Sequence, residues 1–199
     1  MKRFLDACKL YPLDNKILSK CQVFDCGDPD LNDFFLNNTE NFSKQLLGKS
    51  YCYLLNENPE IMVCAFTLSN SSMDVRHLPG SRKKKVIADI PREKHLSSYP
   101  AMLIGRLGVS KNFGKKGIGS DLIRFIQFIA INDGNWASCR YLTVDAYNNE
   151  ATLKFYLTNG FTYLFSTEQQ EKKYIGMPED EELKTRQMYF DLIRIVKCQ

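Results

Sequence analysis

The sequence is poor in the features that mark a covalent staple, a metal centre or a membrane anchor. Its seven cysteines, at 8, 21, 26, 52, 64, 139 and 198, are odd in number and include no pair at C-x-x-C spacing, and there are only two histidines, His77 and His95. That set argues against a zinc site and against a disulfide framework. No apolar run approaches the ~18 residues of a membrane span. The start, Met1-Lys2-Arg3-Phe4-Leu5-Asp6, lacks the apolar stretch of a signal peptide. Reduced thiols and a soluble, cytoplasmic protein are the expectation. Charge of one sign is scarce as well: 27 Lys and Arg against 23 Asp and Glu leave +4. This is too mild to mark a dedicated nucleic-acid binder, yet it does not oppose an anionic ligand.

What is there is an ordinary globular composition, 44% hydrophobic and 25% charged over 199 residues, which fits a single domain over 1–199. A chain of this size buries roughly 70% of its unfolded surface without help from metals. Residues 20–27 read as a short extended segment closed by Gly27. Asp28-Pro29-Asp30 reads as a helix start, an Asp cap with Pro in the first turn. Leu31, Phe34, Phe35, Asn38 and Phe42 then recur at helical spacing and predict an amphipathic helix over 29–46. Two strand-like runs, 51–56 and 61–70, predict a hairpin.

Residues 71–99 carry Ser71-Ser72, Pro79-Gly80, the basic run Arg82-Lys83-Lys84-Lys85 and Pro91, and read as a long functional or partly mobile loop. A strand is expected over 100–109. A helix follows, with Ile118, Leu122, Ile123, Ile126, Ile129 and Ala130 on one face and Phe125 and Phe128 widening it, ending near Asn132-Asp133-Gly134. Beyond it come a strand over 140–146, a helix over 149–159, a strand over 161–165, a polar stretch over 166–185 forming a loop or short helix, and a strand over 187–196. This mixed order predicts an α/β (α+β layered) fold.

The chemistry concentrates where the strand over 100–109 meets its helix. Gly114, Gly117 and Gly119 lie in the turn, flanked by Lys115 and Lys116. Glycine permits close backbone approach, and the first helical turn presents unpaired N–H groups at a positive dipole end, so the segment suits a phosphate or pyrophosphate. It is not a Walker A loop, since no Gly-Lys-Ser/Thr follows, and it lacks the Gly-x-Gly-x-x-Gly order of a dinucleotide fold. The segment resembles the acyl-CoA-binding stretch of the GNAT superfamily of N-acyltransferases, Arg/Gln-x-x-Gly-x-Gly/Ala. Gly117 and Gly119 match its two small positions, while Gly114 replaces the leading Arg/Gln. A second stretch, Asn149 to Phe161, resembles the family's Asn-x-x-Ala-x-x-Leu/Phe-Tyr-x-x-x-Gly-Phe. Here Asn149, Phe155, Tyr156, Gly160 and Phe161 match, and Thr152 stands where Ala is usual.

The resemblance spans about Tyr51 to Ile195 and implies a GNAT-like splayed mixed sheet flanked by helices, with acetyl-CoA as co-substrate and no metal. It implies that Leu107, Gly108 and Val109 expose backbone to the pantetheine arm. The pyrophosphate would be held by Lys115, Lys116, Gly117, Ile118, Gly119 and Ser120, with Asn149 also at the cofactor, and Tyr156 would protonate the departing thiolate. Many GNAT enzymes carry a carboxylate base on the central strand, but residues 101–109 contain none and Arg106 is the only charged side chain there. A lysine amine at ~10.4 needs a base, whereas an α-amine near ~7.7 is already partly neutral, so the missing base favours an α-amine acceptor. Arg106 is read either as a substrate contact or as a structural arginine paired to a carboxylate.

Phe24-Asp25-Cys26-Gly27, Leu31-Asn32-Asp33-Phe34-Phe35 and Ile104-Gly105-Arg106-Leu107 add a narrower likeness, to the GNAT subgroup containing the tRNA-acetylating toxins of toxin–antitoxin modules. That likeness implies aminoacyl-tRNA as acceptor, and it leaves open an antitoxin partner and a homodimer. Cys26 reads as a small packing residue, without a basic neighbour to activate it. Lys83, Lys84 and Lys85, with Lys111, Lys115 and Lys116, would track tRNA phosphates; a solvated basic loop is the competing reading. Acetylation of a small-molecule or protein amine, or a catalytically weak CoA-binding module, remain the alternatives.

Overall fold

The computed structural model describes residues 4–92, 96–132, 134–135 and 137–197; His95, Asp133 and Cys198 lie outside the described residues. In chain order the elements begin with α1 (Phe4–Ala7), β1 (Cys8–Pro12), α2 (Asn15–Leu18), α3 (Pro29–Asp33), a π-helical turn (Phe34–Asn38) and α4 (Thr39–Lys44). Next come β2 (Lys49–Leu55), β3 (Met62–Asp74), α5 (Gly80–Val86), β4 (Ser98–Val109), a 3₁₀ turn (Lys111–Phe113) and α6 (Ile118–Ile131). The last are β5 (Tyr141–Tyr147), α7 (Glu150–Thr158), β6 (Thr162–Tyr163), α8 (Glu168–Ile175), β7 (Thr185–Asp191) and α9 (Ile193–Val196). Seven strands form one mixed sheet in the order β1-β2-β3-β4-β5-β7-β6, the α/β architecture expected. The chain divides into two compact units, one running through Ser69 and including Ile104–Ile126, the other holding Asn70–Leu103 and the chain from Gln127 onward.

In the first unit β1, β2 and β3 pair antiparallel, with Leu10 opposite Tyr53 and Cys52 opposite Ala65. The hairpin read over 51–56 and 61–70 is present and longer than expected. Its inner face packs with Leu13, Phe24, Phe34 and Phe35 into one apolar cluster. Asp28 caps α3 as predicted, accepting from Leu31 N–H at 3.0 Å, with Pro29 in the first turn. The helix read as continuous over 29–46 is instead interrupted. Asp33 accepts from the side-chain amides of Asn37 and Asn38 at 2.8 and 2.9 Å, and the backbone widens into a π turn between α3 and α4. The segment over 20–27 forms no strand.

In the second unit β4 runs parallel to β5, with Ala101 opposite Tyr141 and Leu103 opposite Thr143. β7 pairs with all of β5, from Tyr141↔Asp191 to Tyr147↔Thr185. Met73, Val75, Val86, Tyr99, Tyr141 and Phe165 form its core. The stretch read as a long loop over 71–99 is corrected here: β3 continues to Asp74, and the basic run lies on α5. That helix is anchored at both sides, since Tyr141 O–H donates to Val86 C=O and Arg82 Nε donates to Leu164 C=O, each at 2.9 Å. The strand read over 161–165 shrinks to Thr162–Tyr163. The strand read over 187–196 stops at Asp191, whose carboxylate accepts from Ile193 N–H at 3.2 Å and turns the chain into α9. On α6, Ile118, Leu122, Ile123, Ile126 and Ala130 are buried as expected, whereas Phe128 is 57% exposed and Gln127 takes a buried place.

Candidate active site

The turn after β4 is built within the first unit. Ser110 N–H donates to Val63 C=O at 2.9 Å and Lys111 N–H to Asp25 C=O at 2.9 Å, so both ends of the turn's entry are fixed. Lys115 (φ +59°) and Gly117 (φ +79°) both adopt left-handed backbone. The first amide to find an acceptor on α6 is that of Asp121, which donates to Gly117 C=O at 3.0 Å. Among the described residues the backbone N–H groups of Lys115, Lys116, Gly117, Ile118, Gly119 and Ser120 donate to no acceptor. A run of free amides ending on the N-terminus of a buried helix is a cradle for an anion. Space supports it: no atom lies within 4 Å of where a Cβ on Gly117 would stand. The residues present therefore fit the diphosphate of a CoA molecule.

Lys116 is exposed and leans back on its own turn, its ammonium 3.3 Å from Asn112 C=O and over the Phe113 ring. Lys111, grouped with these lysines on sequence grounds, is instead paired with the Asp25 carboxylate at 2.8 Å. Asp25 is held at about 2 by that lysine first, then by the Asn32 side-chain amide and Gly27 N–H.

Leu107, Gly108 and Val109 lie at the end of β4. Gly108 is buried against Cys26 and Phe35, and Arg106, two residues earlier, points to the same side of the strand. Its guanidinium carbon sits 3.8 Å from the centre of the Phe34 ring and 6.0 Å from that of Phe42. Among the described residues Arg106 makes no ion pair, so the structural reading in which a carboxylate neutralises it is corrected: aromatic faces hold it instead. The aromatic spacing of 34 and 42 reads as core in a sequence, which is why their tie to Arg106 was not anticipated. Cys26 behaves as the small packing residue expected, and burial pushes its thiol up.

The second unit holds the other candidates. Asn149 caps α7, its side-chain oxygen accepting from Thr152 N–H at 2.9 Å, so only its NH₂ end is free for a ligand. Tyr156 is 6% exposed and lies edge-on between Phe155 and Phe161, with ring centres 5.1 and 5.3 Å away. Burial pushes its phenol well above the ordinary tyrosine range. Lys83 is half-buried and Lys84 and Lys85 are exposed on α5. Asp145 on β5 was not singled out; it is exposed at the surface, yet partial burial raises its carboxyl. Its one sequence signal is a lone acid in an otherwise apolar, β-branched run. Among the described residues no group of three or more His, Cys, Asp or Glu side chains is placed to hold a metal, and no helix is long and apolar enough to cross a membrane.

The description "Acetyltransferase (GNAT) family" matches Asp33–Phe161, more than half of the chain, and this span takes in both the amide cradle and Tyr156. The chain belongs to the acetyltransferase (GNAT) family. Among solved structures, a tyrosine-to-phenylalanine mutant of KacT superposes with a TM-score of 0.70 at 19% identity, covering 97% of this chain and 99% of that one. AtaT complexed with acetyl-methionyl-tRNAfMet gives 0.69 at 19% identity, over 96% and 98%. AtaTR bound with AcCoA gives 0.68 at 19%, over 98% and 99%. At that identity the likeness to these structures is one of fold. The GNAT chain described here thus has its family's layered sheet, and its free-amide turn falls within the matched span.

Proposed function

We propose that this chain transfers an acetyl group from acetyl-CoA to the α-amine of an aminoacyl-tRNA. The observation that carries the first half is the run of free amides from Lys115 to Ser120 at the head of α6. A diphosphate satisfies those donors, with Lys115 and Lys116 adding charge. Leu107, Gly108 and Val109 would then offer strand backbone to the pantetheine arm, and the free NH₂ of Asn149 a further polar contact. The amine nitrogen forms the new amide bond as the carbon–sulfur bond breaks, its surplus proton passes to water, and Tyr156 serves the departing sulfur. A phenol already weaker than a thiol (~10 against ~8.5) and pushed further up by burial stays protonated throughout. Its contribution is a hydrogen bond donated to the growing sulfur charge, and the released thiolate takes its proton from water.

The second half, the acceptor, is supported by the strand that lacks a carboxylate base and by AtaT's complex with an acetylated aminoacyl-tRNA. Arg106 would face the acceptor, and Lys83, Lys84 and Lys85 would track phosphates. An antitoxin protein and a second copy of the chain are the partners this reading carries with it. The test is transfer of labelled acetyl from acetyl-CoA to bulk aminoacyl-tRNA. Label in the aminoacyl moiety is expected; label appearing only in a panel of small amines or protein amines overturns the acceptor.

A further inference from the structure

Among the described residues no carboxylate neutralises the positive charge of Arg106 on the central strand. The charged groups on the segments packed around it are engaged elsewhere or stand clear. Asp25 is paired with Lys111, Asp28 caps Leu31, Asp33 binds Asn37 and Asn38, and Glu40 pairs with Lys44 and Asn15. Asp30 is exposed and has no described partner, Lys49 at the start of β2 is exposed too, and β4 itself carries no other charge. A half-buried arginine with no counter-ion normally loses hydration that something must offset. Here the Phe34 face at 3.8 Å does so, and it stabilises the cation without neutralising it, because the ring supplies a quadrupole and no net charge. The π turn over Phe34–Asn38 begins at that very ring, and such turns concentrate at functional sites.

From these observations we infer that Arg106 activates the acceptor amine electrostatically, its unneutralised guanidinium on the Phe34 face disfavouring the ammonium form and so replacing a general base. The inference rests on the acyltransferase reading above, in which Leu107–Val109 carry the pantetheine arm, and takes the thioester at the end of that arm to lie beside the same strand residues. At ~3.3 Å per strand residue that places the reacting carbon within about 10 Å of the Arg106 backbone. A cation near an amine lowers the amine's pKa by favouring the neutral, nucleophilic form. Arg106 is thus a charge-positioning residue; it accepts no proton, since guanidinium has none of the needed basicity. The proton released by the attacking nitrogen goes to water.

The experiment is the pH dependence of kcat for acetyl transfer from acetyl-CoA at saturating aminoacyl-tRNA, which reports the bound amine's ionisation, with acetyl-CoA affinity measured alongside. In the wild type the alkaline-rising limb is expected about one pH unit below the pKa of the same amine free in solution. Arg106→Gln is expected to raise that limb by about one unit while acetyl-CoA affinity stays unchanged. Arg106→Lys, which keeps the charge and loses the flat face on Phe34, is expected to keep the wild-type limb with a higher KM. A wild-type limb at or above the free amine's pKa overturns the inference even where a variant fails to fold, and so does an Arg106→Gln limb that coincides with the wild type. A wild type that neither binds acetyl-CoA nor transfers acetyl overturns the acyltransferase reading itself, and the inference with it.

Discussion

Gly108 on β4 lies directly against Cys26. A Cβ at position 108 would stand 3.1 Å from Cys26 Sγ, 3.2 Å from its Cβ and 3.3 Å from Phe35 Cε2, closer than carbon and sulfur normally pack. The strand end that would carry the pantetheine arm is therefore seated on the Phe24–Gly27 segment through a glycine and a small thiol. Gly108→Ala should destabilise the fold by about 1–3 kcal/mol through overpacking. Adding Cys26→Ala should restore much of that loss, and a double-mutant cycle in urea measures the coupling. Additive effects would show that the two sites are independent.

Tyr156 keeps its ring in place when its oxygen is removed, because Phe155 and Phe161 contact the ring rather than the hydroxyl. Tyr156→Phe should leave thermal stability and acetyl-CoA affinity near wild type and lower kcat by about 10²-fold or more. Steady-state kinetics together with calorimetric titration of acetyl-CoA separate the two effects. An unchanged kcat removes the assigned role.

Gly117 holds φ +79° with open space where a side chain would go. Gly117→Ala should therefore cost about 1 kcal/mol through backbone strain alone, with no clash. Its effect on acetyl-CoA binding should be larger, because relaxing the strain rotates the amides of Lys116 to Gly119 out of line. The ratio of the two effects, from thermal unfolding with and without acetyl-CoA, checks the claim.

Asp25 ties the N-terminal segment to the end of β4. The Lys111 ammonium, then Asn32 and Gly27 N–H, hold its carboxyl at about 2, below the ~3.9 of an unfolded aspartate. As pH falls, the unfolded chain takes up this proton before the folded one does. The contribution is therefore full above about pH 4 and is lost as pH drops through about 2. Wild type should melt above Asp25→Asn at pH 6, with the gap closing between pH 4 and 2. A gap that stays constant over that range contradicts the pairing.

On the tRNA reading, replacing Lys83, Lys84 and Lys85 by Ala should weaken binding at low salt and reduce the slope of log K against log salt by up to about three. Filter binding across a salt series measures it. An unchanged slope leaves α5 as a solvated basic helix.

The parts of the fold that were legible in the sequence carry their own local signals. Asp28 with Pro29 caps one helix and Asn149 another, and the apolar face from Ile118 to Ala130 spells out the buried helix. What escaped depends on partners distant in sequence. β1 is a strand because Cys8–Pro12 pairs with β2, and nothing in those five residues shows it alone. α5 holds three consecutive lysines and buries only Val86, so it lacks an apolar period, and its helix is secured by tertiary bonds from Tyr141 and Arg82. At the site, the glycines and Tyr156 were visible as a motif. The aromatic bed under Arg106 was not, since a phenylalanine in a helix reads as core until the strand facing it is known.

The central claim is that the main-chain amides from Lys115 to Ser120 receive the diphosphate of acetyl-CoA. Titrating ¹⁵N-labelled protein with acetyl-CoA and following each amide resonance tests it most directly. The largest downfield shifts should fall on residues 115–120, saturating with a single affinity that desulfo-CoA shares. Binding that moves other amides while these six stay in place, or no binding at all, would contradict it.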